Sequence, residues 1–166
     1  MQFIIRSASL DDAYDMACIH TITWKTSYRG LIPGWYLDSL NVEESFEKTK
    51  KKFNMHTVSR YVGVLDGEII AMLVIHKSFD EDKPESGEIG ALYVLPEYQC
   101  RGYGKQLMTF AIAELKSSGF HNIIVWTLKD SAQSNAFYQK CGFQLEGATK
   151  SLNIINSPAV RYNMDI

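Results

Sequence analysis

The stretch from Ala91 to Leu115 constrains this chain more than any other. An apolar run, Ala91-Leu92-Tyr93-Val94-Leu95, precedes Gln99-Cys100-Arg101-Gly102-Tyr103-Gly104-Lys105. Leu107, Met108, Ala111, Ile112 and Leu115 then come at helical spacing. The pattern predicts strand, glycine-containing turn, helix. The first turn of a helix has backbone N–H groups without partners, and the helix dipole adds partial positive charge there. Gly102 and Gly104 carry no Cβ, so an anion can come close to the backbone. Arg101 and Lys105 add charge of the right sign. The expected ligand is a phosphate or pyrophosphate seated on the helix N-terminus. A bland turn that merely opens a helix would look similar over this fragment. The dinucleotide fingerprint is not completed after Gly102, and no Gly-Lys-Ser/Thr occurs, so the flanks must decide.

The flanks match a family. Leu92-Tyr93-Val94-Leu95-Pro96-Glu97-Tyr98-Gln99-Cys100-Arg101-Gly102-Tyr103-Gly104 resembles motif A of the GNAT superfamily of N-acetyltransferases, with its signature Q/R-x-x-G-x-G/A. Downstream, Ser134-Asn135-Ala136-Phe137-Tyr138-Gln139-Lys140-Cys141-Gly142-Phe143 resembles the second signature, a helix ending F-Y-x-K-x-G-F. Order and distance are both those of the family. Ile5-Arg6-Ser7-Ala8 and the stretch from Trp24 through Tyr28-Arg29-Gly30-Leu31-Ile32-Pro33 look like one bacterial branch. The resemblance covers nearly the whole chain.

Composition sets outer bounds. A chain of 166 residues is expected to form a single domain, residues 1–166, with one good core. A net charge of −2 offers no general attraction to nucleic acid. No apolar stretch is long enough to span a membrane, and Phe3-Ile4-Ile5 is too short for a signal peptide. The expected location is the cytoplasm. Cys18, Cys100 and Cys141 are odd in number and form no C-x-x-C pair, which reads as free thiols. Cys100 beside the turn has no His in a suggestive pairing and reads as a small hydrophobe rather than a nucleophile. His20, His56, His76 and His121 have no ligand spacing, so no metal site is expected.

Along the chain, Phe3–Ser7 reads as a strand. Ser9 with Asp12 opens a helix to about Ile22, continuing toward a turn at Gly30 to Gly34. Pro33 opens a short helix, Gly34–Leu40. Val42–Phe53 is helical, and its four lysines between Lys48 and Lys52 read as a solvated face. Arg60–Leu65, Asp66-Gly67 and Glu68–His76 form a hairpin. A polar loop, Phe79–Ser86, carries the acidic run Asp80–Glu85, which reads either as a lure for cationic amines or as ordinary loop solubility. Gly87–Val94 is the strand before the turn. Its helix runs to about Ser118 and is capped by Gly119. Asn122–Thr127 is a strand, Ala132–Lys140 a helix, and Phe143–Leu152 and Val160–Met164 are closing strands around an Asn156-Ser157-Pro158 turn. The expected fold is α/β, a mixed, mostly antiparallel twisted sheet flanked by helices with one parallel step. It agrees with the acyl-CoA N-acyltransferase fold that the resemblance implies, in which two central strands splay and the pantetheine arm enters the gap.

The resemblance implies an acetyl-CoA-dependent N-acetyltransferase that acts by direct attack of a primary amine. A small amine is the expected acceptor, with a protein N-terminus or lysine as the second reading and a non-catalytic CoA-binding module as the third. Backbone N–H groups from Arg101 to Gln106 would hold the pyrophosphate, within a turn that also includes Gln99, Cys100, Tyr103 and Lys105. Leu92, Tyr93 and Val94 would meet the pantetheine with their backbone, and the N–H of Leu92 or Val94 would polarise the thioester carbonyl. Tyr138 is the candidate general acid. A phenol of pKa ~10 needs no shift to donate a proton at neutral pH. The Asn expected seven residues before Tyr138 is Ser131, which would either bond the cofactor or N-cap the helix. Glu88 is the candidate base, with an exposed strand carboxylate as the plain alternative; burial would raise its pKa. The family's other base position falls at Trp126 and is lost. Trp24, Tyr28 and Tyr93 either line the acceptor pocket or are core aromatics. Two-fold dimerisation is common in such folds, so a homodimer is compatible with the sequence.

Overall fold

The computed structural model describes residues 2–152 and 156–166. Strand β1 (Phe3–Ser7) leads through a 3-10 turn (Leu10–Asp12) into α1 (Ala13–Ser27), followed by α2 (Gly34–Ser39) and α3 (Val42–Lys52). Strands β2 (Val58–Leu65), β3 (Glu68–Lys77) and β4 (Gly87–Val94) come next, then α4 (Tyr103–Ser117), β5 (Asn122–Leu128), α5 (Ala132–Lys140), β6 (Gln144–Leu152) and β7 (Ser157–Asp165). The seven strands form one sheet in the order β1-β2-β3-β4-β5-β7-β6. Every neighbouring pair is antiparallel except β4 and β5. The expected mixed, mostly antiparallel sheet is therefore the one observed.

Local chemistry explains the elements. Asp66 and Gly67 take φ of 48° and 94°, the left-handed pair that a two-residue hairpin needs. Helix α4 buries Leu107, Met108, Ala111 and Leu115 against Ile89, Ile123 and Val125 of the sheet. Helix α1 covers the opposite face, with Met16 and Ile19 on Val62, Val64 and Met72. Each such buried side chain contributes about 1.5–3 kcal/mol. Helix α3 buries none of its residues; its lysines pair with Glu44 and Glu47, the expected solvated face.

The N-terminal device is a capping box. Asp12 accepts from the Ser9 N–H at 2.7 Å and from two Arg6 guanidinium nitrogens at 2.8 Å each. The Arg6 bonds hold its carboxyl down to about 2, against burial, with Ser9 adding to them. A depressed carboxylate pKa stabilises the fold fully above the unfolded value of ~3.9 and loses that contribution as pH falls through the folded value. Arg6 is 44% exposed, which screens the pair. Asp12→Asn should cost about 1–2 kcal/mol at pH 7 in urea unfolding, a gap that closes as pH falls below ~4.

The C-terminal hairpin differs from the sequence expectation. Ser157 and Pro158 stand in β7, opposite Leu152 and Ser151, and are not turn residues. Pro158 sits at the start of the strand, where a missing N–H is tolerated. Asn156, with φ 47°, keeps its turn conformation.

Candidate active site

Strands β4 and β5 pair over three positions only: Gly87 with Ile123, Glu88 with Ile124, and Ile89 with Val125. The next residue is the cause. Gly90 is left without a partner, because the β3 register shifts between Val74, opposite Ala91, and Ile75, opposite Ile89. A bulge bends its strand and re-aims the residues beyond it. A Cβ at Gly90 would meet His76 Nε2 at 2.6 Å, so the His76 ring would have to move to admit a larger residue. Past the bulge, β4 and β5 separate and leave a cleft of about 690 Å³. A glycine within a strand pattern is a bulge signal, but the sequence alone did not single out Gly90.

One edge of the cleft is backbone. Leu95 N–H donates to Ile70 O at 2.9 Å, so Leu95 faces β3. Alternation then turns the amides of Leu92 and Val94 away from β3, into the gap. Val94 O points the same way, since it accepts from Gln99 Nε2 at 2.9 Å. Gln99 Oε1 in turn accepts from Gln133 on α5, tying the turn to that helix.

The turn itself supplies unpaired donors. The amides of Cys100, Arg101, Gly102, Tyr103, Gly104 and Lys105 have no hydrogen-bond acceptor among the described residues. Cys100 and Gly102 both have positive φ, 58° and 90°, so successive N–H groups converge on one concavity. Gly104 has ordinary helical φ, and a Cβ there would sit 3.5 Å from Phe137, plain van der Waals contact. The fold itself does not need glycine at 104. Gln106 departs from expectation, because its N–H already donates to Gly102 O at 3.1 Å. The side chains of Arg101 and Tyr103 rest on aromatic neighbours. Arg101 lies over the Tyr98 ring, and Tyr103 packs on Phe3 with ring centroids 4.7 Å apart. Cys100 is a free thiol and exposed, so it does not serve as a packed hydrophobe.

Three phenols meet on the cleft. Tyr138 of α5 is 9% exposed and lines it; its hydroxyl has no hydrogen-bond partner among the described residues. Burial pushes its pKa up, with Tyr93 adding to the shift. Tyr93 projects to the α1 face, where Trp24 Nε1–H donates to its hydroxyl at 3.0 Å. Tyr28 packs edge-on against Trp24 beside it, and burial raises the Tyr28 pKa as well. Trp24 thus stands behind Tyr93 as a support, while Tyr28 and Tyr93 line the cleft. Thr23, Ser27 and Trp126, which sequence reasoning did not assign to the site, complete that wall. His20 packs at a tilt on Trp24, and burial, with Lys52 and Lys48 adding to it, lowers its pKa to about 4.

Two expected residues stand back from the cleft. Ser131 is buried at 4% exposure, and its hydroxyl accepts from Ser134 N–H as the N-cap of α5. It also donates to Ser134 Oγ at 2.9 Å, so the N-cap is the role seen in this structure. Glu88 lies behind the cleft wall rather than on it. Burial raises its pKa; His76 and Lys150 pull it down and Asp80 pushes it up. Beside it, Trp126 Nε1–H donates to Asp80 at 2.8 Å. Buried Arg161 donates to Asp80, Asp82 and Glu146. Asp80 and Asp82 of the acidic loop are thus paired from within the fold by Arg161. Among the described residues no group of His, Cys, Asp or Glu is placed to hold a metal ion.

A splayed β4–β5 pair with an amide-lined turn at one end and a phenol at the other defines an acyl-transfer fold of the N-acetyltransferase type. The model of the Acetyltransferase (GNAT) family matches residues 24–143, and the chain belongs to that family. It is 32% identical over 136 residues to the uncharacterized N-acetyltransferase YuaI of Bacillus subtilis, covering 81% of this chain and 76% of that one. It is 24% identical over 160 residues to a spermidine N(1)-acetyltransferase of Thermoplasma acidophilum, covering 88% and 91%. The fold is similar to that of PaiA N-acetyltransferase from Thermoplasma acidophilum in complex with coenzyme A, with TM-score 0.79, 20% identity and 97% and 98% of the two chains covered. No helix among the described residues is long and apolar enough to cross a membrane.

Proposed function

We propose that the chain moves the acetyl group of acetyl-CoA to the primary amine of a small molecule, with both substrates bound at once. The observation that carries this reading is the run of six unpartnered amides, Cys100 to Lys105, at the mouth of a cleft edged by free strand backbone. These residues fit the donor: amides and Lys105 suit a diphosphate, and the Leu92 and Val94 edge suits an amide-bearing arm. The likeness to a spermidine acetyltransferase supports a small amine as acceptor.

When bound, acetyl-CoA supplies an activated acyl carbon and a thiolate leaving group. The amide of Leu92 or Val94 donates to the carbonyl oxygen as it gains charge. Tyr138 gives its phenolic proton to the sulfur as the C–S bond breaks, and regains one from solvent. Glu88 takes the amine's proton through water as the N–C bond forms. The products are an acetamide and the free thiol.

The test is calorimetric titration with acetyl-CoA, then thiol release against a panel of primary amines and of peptides with free N-termini or lysines. Binding, thiol release only with small amines, and intersecting initial-rate lines are expected. Parallel lines, or acetate trapped on Cys100, would overturn direct attack. Binding without turnover of any acceptor would point to the module instead. If Glu88 is the base, the rate rises with pH through a value above the ordinary carboxylate range, and Glu88→Gln removes that limb.

A further inference from the structure

The acceptor side of the cleft has an unusual charge inventory for an enzyme whose relative acts on spermidine. Its wall on the α1 face is Thr23, Ser27, Tyr28, Tyr93 and Trp126, and no carboxylate lines any part of the cleft among the described residues. The acids of the cluster behind Trp126 are already paired. Asp80, Asp82 and Glu146 face Arg161, and Glu146 also faces Lys83. The Trp126 ring is also engaged by two protein cations, with Lys150 Nζ at 4.0 Å and the Arg161 guanidinium at 5.4 Å from its centroid. Its π-system is therefore not free to attract a further ammonium. Lys150 acts on Glu88, which forms no salt bridge among the described residues, so four carboxylates (Asp80, Asp82, Glu146 and Glu88) stand against three cations (Arg161, Lys83 and Lys150), a surplus of one negative charge behind the wall.

Resting on the small-amine reading above, we infer that the acceptor is a monoamine on an uncharged aromatic or apolar body, and that polyamines are poor substrates. One negative charge near the cleft matches one ammonium, which must lose its proton to react. Each further ammonium of a polyamine would leave water for a wall of hydroxyls and rings, without a counter-charge. An aromatic body instead finds Tyr28, Tyr93 and the part of Trp126 that lines the cleft, and any hydroxyl on it finds Ser27. The reaction is unchanged: amine plus acetyl thioester gives acetamide plus thiol.

The experiment compares kcat/KM by thiol release for 2-phenylethylamine and tyramine against putrescine and spermidine, with acetyl-CoA saturating. The aryl monoamines should lead by at least tenfold. Ser27→Asp, which adds a carboxylate to the wall, should shrink that lead at least fivefold. Trp126→Leu should lower the aryl amines about tenfold and leave acetyl-CoA affinity, read by calorimetry, unchanged. Equal or better turnover of spermidine overturns the inference and leaves acetyl transfer standing. Acetyl-CoA binding with no turnover of the aryl amines also overturns it. Failure to bind acetyl-CoA sinks the acetyltransferase reading itself, and this inference with it.

Discussion

Gly104→Glu should abolish acetyl-CoA binding and leave the protein folded, or slightly more stable. The backbone at 104 is ordinary helix, and a Cβ there meets only Phe137 at 3.5 Å. Replacing glycine in a helix gains about 0.5–1 kcal/mol, and a carboxylate in the first turn favours the dipole by about 0.3–1 kcal/mol. The same carboxylate lies on the concavity formed by the Cys100–Lys105 amides, where it competes with a diphosphate and repels it. Losing two or three charge-assisted bonds at about 1.5–3 kcal/mol each raises Kd by at least ~100-fold. Calorimetry and a thermal melt on the same sample read both halves. Gly104→Ala should melt like the parent and bind more weakly, but far less so than the Glu variant. Retained affinity in Gly104→Glu, within about threefold, would remove the turn from the donor site.

Tyr138→Phe should separate turnover from affinity. The hydroxyl has no partner among the described residues, so removing it costs no internal hydrogen bond, and the melt should be unchanged. If that hydroxyl protonates the departing sulfur, kcat falls by about 10²-fold or more, while KM for acetyl-CoA stays within about twofold. Burial disfavours the phenolate, so the proton remains available at all working pH, and kcat should show no alkaline decline from this group below pH ~10. Unchanged kcat would reduce Tyr138 to a packed aromatic.

Local signals carry much of the fold. Asp66-Gly67 between β-rich runs marks its hairpin, and Gly87–Val94 and Ala132–Lys140 appear at the residues the pattern indicates. Those signals depend on neighbours in the chain. The cleft does not. It exists because a shift opposite Gly90 ends the β4–β5 pairing, and nothing near Gly90 reveals what stands across the sheet. Ser157 and Pro158 mislead because turn-prone residues can open a strand when a partner such as β6 holds them. The uncharged acceptor wall is equally hidden. Arg161 lies 81 positions from Asp80 and 15 from Glu146, so no window of sequence shows that the loop's acids are paired with it. Gln106 shows the limit of counting orphan amides from helix position, since its N–H closes on Gly102.

The two sides of the cleft are built from different materials. On the proposed reading the donor end would be held by main chain, which is the same whatever side chains are present, provided two small residues stay small. The acceptor end would be read by a handful of side chains drawn from α1, β4 and β5. Exchange of Ser27 or Trp126 can therefore redirect what is acetylated without loosening the hold on the donor, and a lineage built on this plan is free to change clients while keeping its currency.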